Sequence, residues 1–334
     1  THTLTYALDT IKGQTVSDGG SNTTYTGTAL TDTITDNSFA ETNGSIKNVD
    51  WDGGAGDDII SSNTLTATSG RVSSITFDGG AGDDTISGNT FAGGSALSIT
   101  FHGGRGNDTI SGNNLTVYDI YNVSFHGGDG HDTINNNTLT ARGNIASITF
   151  VGGDGNDTIS SNTLMTGLGV NDSIRVITFD GGDGDDTISN NTFTANSYIY
   201  DVTLNGGDGG DTISDNHLVA TGARNSHDVY SVTFMGGAGD DVFRDNTATQ
   251  ANGERAKITI DGGADTDGLD TDKVYFELAS SMFTITGNYN SNITVTDIAK
   301  RTNAGDGNDV NSYAEYVLID IEELYFDDTP YVFS

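Results

Sequence analysis

The 334-residue chain has no cysteine, so disulfides, thiolate zinc centres and thiol catalysis are excluded. Proline occurs once, at Pro330, and its absence elsewhere suits unbroken β ladders, since proline cannot donate to one. Glutamate is confined to Glu41, Glu254, Glu277, Glu315, Glu322 and Glu323. Only 13 Lys and Arg stand against 47 Asp and Glu, a formal net charge of −34. Such a surface repels nucleic acid and anionic membranes, and no apolar run approaches the ~20 residues of a membrane helix. Neither nucleic-acid binding nor membrane insertion is therefore expected. Apolar residues are 34% of the chain, too few for a large globular core but enough for a thin one. With threonine at position 1, the expectation is a processed product or an excised piece.

What the chain has instead is repetition. Residues 74–91 read S-I-T-F-D-G-G-A-G-D-D-T-I-S-G-N-T-F and recur along most of the length. Alternation in I-T-F and D-T-I-S predicts strands with one face buried. Between them, Gly79-Gly80-Ala81-Gly82-Asp83-Asp84 reads as a turn, with glycine where φ must be positive and carboxylates where a hard cation can sit. Repeats start at Gly53, Gly79, Gly103, Gly127, Gly152, Gly181, Gly206 and Gly236, with a weaker ninth at Gly262, so successive starts are 24 to 30 residues apart. A fixed period means a solenoid rather than two globular domains. The predicted fold is all-β, a right-handed parallel β-solenoid, intermediate between a β-roll and a β-helix, capped at both ends. Residues 1–49 read as an N-terminal cap and first coil, 50–272 as the repeats and 273–334 as a C-terminal β cap. Within 31–39 the sequence supplies the strand after a turn but not the turn, and Asp265, Asp267, Asp270 and Asp272 read as out of register. Asparagines at 37, 63, 89, 113, 137, 162, 191, 216 and 246 recur at one place per coil and predict a column whose amides bond the coils above and below.

The G-G-x-G-x-D turns resemble the repeats-in-toxin family, whose nonapeptide G-G-x-G-x-D-x-U-x binds calcium between stacked turns. By that resemblance Ca2+ would be held by Asp58, Asp84, Asp108, Asp132, Asp157, Asp186, Asp211 and Asp241. Carbonyls would come from Gly53, Gly79, Gly103, Gly127, Gly152, Gly181, Gly206 and Gly236, and flanking residues Asp57, Asp83, Asn107, Asn156, Asp185 and Asp240 would complete the shell, with Asp265 and Asp267 in the decayed ninth turn. That family usually has two such turns per coil; here the opposite corner carries asparagine. The resemblance implies an extracellular or cell-surface protein exported by a type I-like route. The expected function is structural or adhesive, as in a surface-layer, fibre or adhesin subunit that folds and assembles on Ca2+, with self-assembly or a surface polysaccharide as partner.

Rival readings rest on fewer residues. A polysaccharide lyase or epimerase also fits a β-helix, but no nucleophile–base set is visible. Arg71, Arg105, Arg142, Arg175 and Arg224 read as too dispersed for one pocket. A threonine column (Thr76, Thr100, Thr149, Thr178, Thr203, Thr233, Thr259) with serine two residues earlier (Ser74, Ser98, Ser147, Ser231) resembles the faces of ice-binding solenoids, although threonine also suits any outward β position. His102, His126 and His131 could gather a transition metal, and Tyr121, Tyr200 and Tyr230 could form a sugar-binding stripe; surface replacement and corner packing are the simpler accounts.

Overall fold

The computed structural model describes residues 10–17, 21–167, 172–221, 229–250, 255–263, 270–276, 283–286, 293–297, 313–326 and 330–331. Every described element is a strand. Three sheets of 13, 10 and 13 strands run side by side, and each coil contributes one strand to each in turn. Pairing between coils is parallel and in register, so like residues stack: Ile60 on Ile86 on Ile110, and Phe77 on Phe101 on Phe125. This is the expected parallel solenoid, with three faces and three corners.

Its core is a set of columns. Trp51, Phe77, Phe101, Phe125, Phe150 and Phe179 stack with centroids 4.4 to 4.9 Å apart, and Phe91 and Phe193 meet this stack edge-on. Ring separation is set by the ~4.8 Å strand spacing, which lies in the range where offset aromatic pairs are favourable. Each such ring is fully buried, worth about 1.5–3 kcal/mol of apolar transfer.

Two details depart from the sequence reading. The strand expected as I-T-F is longer: Val72–Ala81 is typical, and its Gly80 and Ala81 pair with Gly54 and Ala55 of the preceding coil. The glycine pair thus ends a strand, and only Gly82-Asp83 turns. A Cβ at Gly80, whose φ is +108°, would meet the Gly54 carbonyl oxygen, which is why this position stays glycine. The same strand also bends at Ser74, which has φ +56° and drops out of the pairing, as do Ser98 (+57°), Asn122 (+54°), Ser147 (+59°) and Val176 (+54°). The threonine column is real, with Thr76 on Thr100 and Thr149 on Thr178. The serine rank, however, sits on a bend in the left-handed region, so no flat two-rank lattice forms.

At the C-terminal end, Lys273–Phe276 and Glu323–Phe326 still add parallel rungs to the first sheet. The third sheet then reverses, since Tyr313–Ile319 pairs parallel with Arg255–Asp261 but antiparallel with Ile293–Asp297, which pairs antiparallel with Phe283–Thr286. Antiparallel strands end a stack that parallel coils would continue.

Candidate metal centre

The corner after each long strand carries the aspartates singled out by the repeat. Asp58, Asp84, Asp108, Asp132, Asp157, Asp186, Asp211 and Asp241 are each 1–2% exposed and form one column inside the corner. Each Oδ1 accepts the main-chain N–H of the aspartate one coil earlier: Asp58 N–H to Asp84 Oδ1 is 2.6 Å, Asp84 to Asp108 2.7 Å and Asp132 to Asp157 2.6 Å. The column is longer than the motif announces. Asp32 donates to Asp58 Oδ1 at 2.6 Å, and Asp272 accepts from Asp241 at 2.9 Å and donates to Glu322 Oε2 at 2.8 Å. Asp272 is therefore in register after all, although it follows Gly262 by ten residues where Asp241 follows Gly236 by five. The signal for Asp32 lay in D-T-I-T-D-N, which matches the second half of a repeat although no G-G precedes it.

The second carboxylate oxygen is different. Oδ2 of all eight motif aspartates is buried without a hydrogen-bond partner. It faces the first glycine of its own turn: a Cβ on Gly53 would lie 2.5 Å from Asp58 Oδ2 and 2.5 Å from the carbonyl oxygen of Gly79, one coil on. The equivalent points on Gly79, Gly127, Gly152, Gly181 and Gly236 are lined the same way, and on Gly103 and Gly206 by Asp108 and Asp211. A carboxylate oxygen and, in most coils, a neighbouring carbonyl thus converge where a side chain is missing. Both are hard donors of the kind Ca2+ takes and softer metals do not prefer.

Burial pushes these carboxyls upward, to about 6 for Asp58, Asp132 and Asp211, about 7 for Asp84, Asp108, Asp157, Asp186 and Asp272, and about 8 for Asp241. The hydrogen bond at Oδ1 pulls the other way but does not offset it. A column of buried anions this close together demands a proton or a cation on each.

The flanking residues Asp57, Asp83, Asn107, Asn156, Asp185 and Asp240 are exposed and form a second ladder of opposite sense. Each accepts the N–H of the next coil: Asp57 Oδ1 from Asp83 at 3.0 Å, Asp83 from Asn107 at 2.7 Å, Asn156 from Asp185 at 3.1 Å and Asp240 from Thr271 at 2.7 Å. Asp265 and Asp267 lie outside the described residues. Among those described, no three His, Asp or Glu side chains surround a common point. A cation in this corner would be held by about one carboxylate per coil and by main-chain carbonyls. On donor chemistry the corner fits Ca2+.

At the next corner the asparagine column forms as expected. Asn137 donates from Nδ2 to Ile110 O at 2.9 Å and to Asn162 Oδ1 at 3.0 Å, while Asn162 Oδ1 also accepts the Asn137 main-chain N–H at 3.0 Å. The same three bonds recur from Asn63 to Asn216.

The other groupings separate. His102 bonds Asp78 at 3.0 Å, which holds its pKa above the ordinary value, and His126 lies beside it with ring centroids 6.5 Å apart. His131 stands instead in the outer ladder, accepting from Asn156 N–H at 2.7 Å. Tyr200 and Tyr230 stack at 5.1 Å, but Ala146 and Arg175 occupy the positions between Tyr121 and Tyr200, so there is no continuous stripe. Arg71 and Arg142, in contrast, are not dispersed: both line one open groove at the third corner, with Lys47 and Tyr118. No protein-family model matches the chain, and no curated protein matches it.

Proposed function

We propose that this chain is a calcium-loaded structural and adhesive solenoid of the extracellular space, which folds and assembles when Ca2+ neutralises the aspartate column. The observation that carries this reading is the set of eight buried Oδ2 atoms without a partner, stacked in one line. A structural role needs no more than this: the cation joins neighbouring coils through carboxylate and carbonyl, and its binding energy becomes folding energy. Export and surface location rest on the likeness of the turns to repeats-in-toxin sequences. Assembly follows from the charge of −34, which opposes contact between solenoids until divalent ions bridge them.

Calorimetric titration of chelator-stripped protein with Ca2+ tests the reading, with light scattering on the same samples. Several Ca2+ per chain and scattering that rises with them are expected. Absence of binding would sink it, and release of reducing ends from acidic polysaccharide by a monomeric protein would replace it with the lyase or epimerase reading.

A further inference from the structure

The third corner, between the second and third sheets, holds a groove of about 680 Å³, within the ~300–1,000 Å³ common for small-ligand sites. It owes its shape to an uneven row of loops. In one coil the corner is Gly93, Gly94 and Ser95, which leaves a notch. The coil before raises Arg71 beside it, and the two after raise Tyr118 and Arg142, with Lys47 at the far edge. Lys47 and Arg71 come from adjacent coils ~4.8 Å apart, and Arg142 from the third coil after that of Arg71, roughly 14 Å along the stack.

Among the described residues these cations have no ion-pair partner. Lys12, Arg105, Lys257 and Lys273 each lie within 4.0 Å of a carboxylate. Among the described residues no carboxylate reaches Lys47, Arg71 or Arg142 in the same way, although acids outnumber bases 47 to 13. Asp119, next to Tyr118 in the chain, accepts the main-chain N–H of Asn144 at 2.9 Å. Tyr118 is 58% exposed, and its ring is the one aromatic surface in a lining that besides the three cations consists of Ser45, Thr68, Ser69, Ser95 and glycines.

We propose that this groove binds a short acidic oligosaccharide, one whose uronate carboxylates alternate with neutral sugars. Arg71 and Arg142 would take carboxylates bidentately, which a guanidinium does better than an ammonium, while Tyr118 stacks against a sugar face and the serine and threonine hydroxyls meet sugar hydroxyls. A peptide is disfavoured because the lining offers no apolar pocket for side chains. A dense polyanion is disfavoured because its length would run onto a surface of net charge −34,. The proposal supplies a partner for the adhesive reading without depending on how the aspartate column is neutralised, since that column lies at another corner.

The test is titration of calcium-equilibrated protein with a glucuronate–N-acetylhexosamine tetrasaccharide, its carboxyl-reduced analogue, a heparin tetrasaccharide and tetraglutamate. Binding of the first is expected, with at least about a tenfold loss on carboxyl reduction and a similar loss in Arg71→Glu/Arg142→Glu. Tyr118→Ala should lose about fivefold, as expected for one stacking contact. Unchanged melting and unchanged Ca2+ titration in these exposed-loop variants separate loss of the groove from loss of the fold or of the cation sites. The proposal is overturned if the reduced analogue binds equally, if charge reversal has no effect, or if heparin or tetraglutamate binds more tightly. Ca2+ binding without saccharide binding would leave the cation reading standing and remove this one.

Discussion

Two corners of the same coil solve the same problem with side chains of the same size. At one, Asp157 is 2% exposed; at the other, Asn162 is fully buried. Each stacks on its equivalents at every rung and accepts a main-chain N–H from the coil before. The amide brings two donors of its own, and both are used, so the asparagine corner is complete and neutral. The carboxylate brings no donor and one more acceptor than the corner can supply, and Oδ2 is left over. A buried ladder of amides is self-sufficient, whereas a buried ladder of carboxylates needs something from solution.

The largest break in that comparison should come from chelation. If each of the eight motif aspartates gains about 2.7 kcal/mol from cation at a hundred times Kd, the total exceeds the ~5–15 kcal/mol by which domains are stable. Far-ultraviolet circular dichroism in excess chelator at neutral pH should therefore show the β signal lost. An unchanged spectrum would mean that the carboxylates are satisfied without cations.

Acid should substitute for the cation. The folded-state values of about 6 to 8 lie above the ordinary 3.8, so between these limits the folded chain holds protons that the unfolded chain has released. Stability without cation then falls as pH rises through that window and is greatest near its acid end. Chelated protein unfolded at pH ~8 should regain β structure towards pH ~5. Refolding that tracked added salt at constant pH would instead assign the effect to screening of the whole surface.

How much of this was legible in the sequence follows from the period. In-register stacking turns one repeat into columns, so the buried Ile and Phe, the aspartates and the asparagines could all be placed from spacing. What escaped has local causes. Asp32 and Asp272 lack the G-G in register that marked the others. The bend is held by small polar residues (Asn48, Ser74, Ser98, Asn122, Ser147, Asp201 and Ser231) with Val176 as the exception, a weak signature because the same residue types fill turns throughout the chain. The groove was invisible because its residues do not recur from coil to coil: the register position of Lys47 holds Ser73, Leu97 and Tyr121 in the coils that follow, and only stacking brings Lys47, Arg71, Tyr118 and Arg142 together.

A charge placed in the neutral corner should cost less than chelation, but still much. Asn137→Asp loses the bond to Ile110 O and sets a carboxylate oxygen against Asn162 Oδ1. About 3–5 kcal/mol is expected, the usual cost of an uncompensated buried charge, against about 1–3 kcal/mol for Asn137→Ala. Denaturant titration of the two in calcium measures the difference, and equal costs would show that the asparagine corner tolerates charge.

The smallest effect is the most informative, because its sign should reverse. Asp157→Asn keeps the Oδ1 that accepts from Asp132 N–H at 2.6 Å and replaces the unpartnered Oδ2 with an amide donor. That donor would face the Gly181 carbonyl across the bare Cα of Gly152, making one rung of the aspartate corner resemble the asparagine corner. In calcium the variant loses a ligand from the sites shared with both neighbouring coils and should melt slightly lower, by about 1 kcal/mol. In chelator at pH ~6, where part of the population is folded by protonation, removing one buried charge should make it melt higher than the parent by a similar amount. If the substitution moves stability in the same direction with and without cation, Oδ2 has no part in holding it.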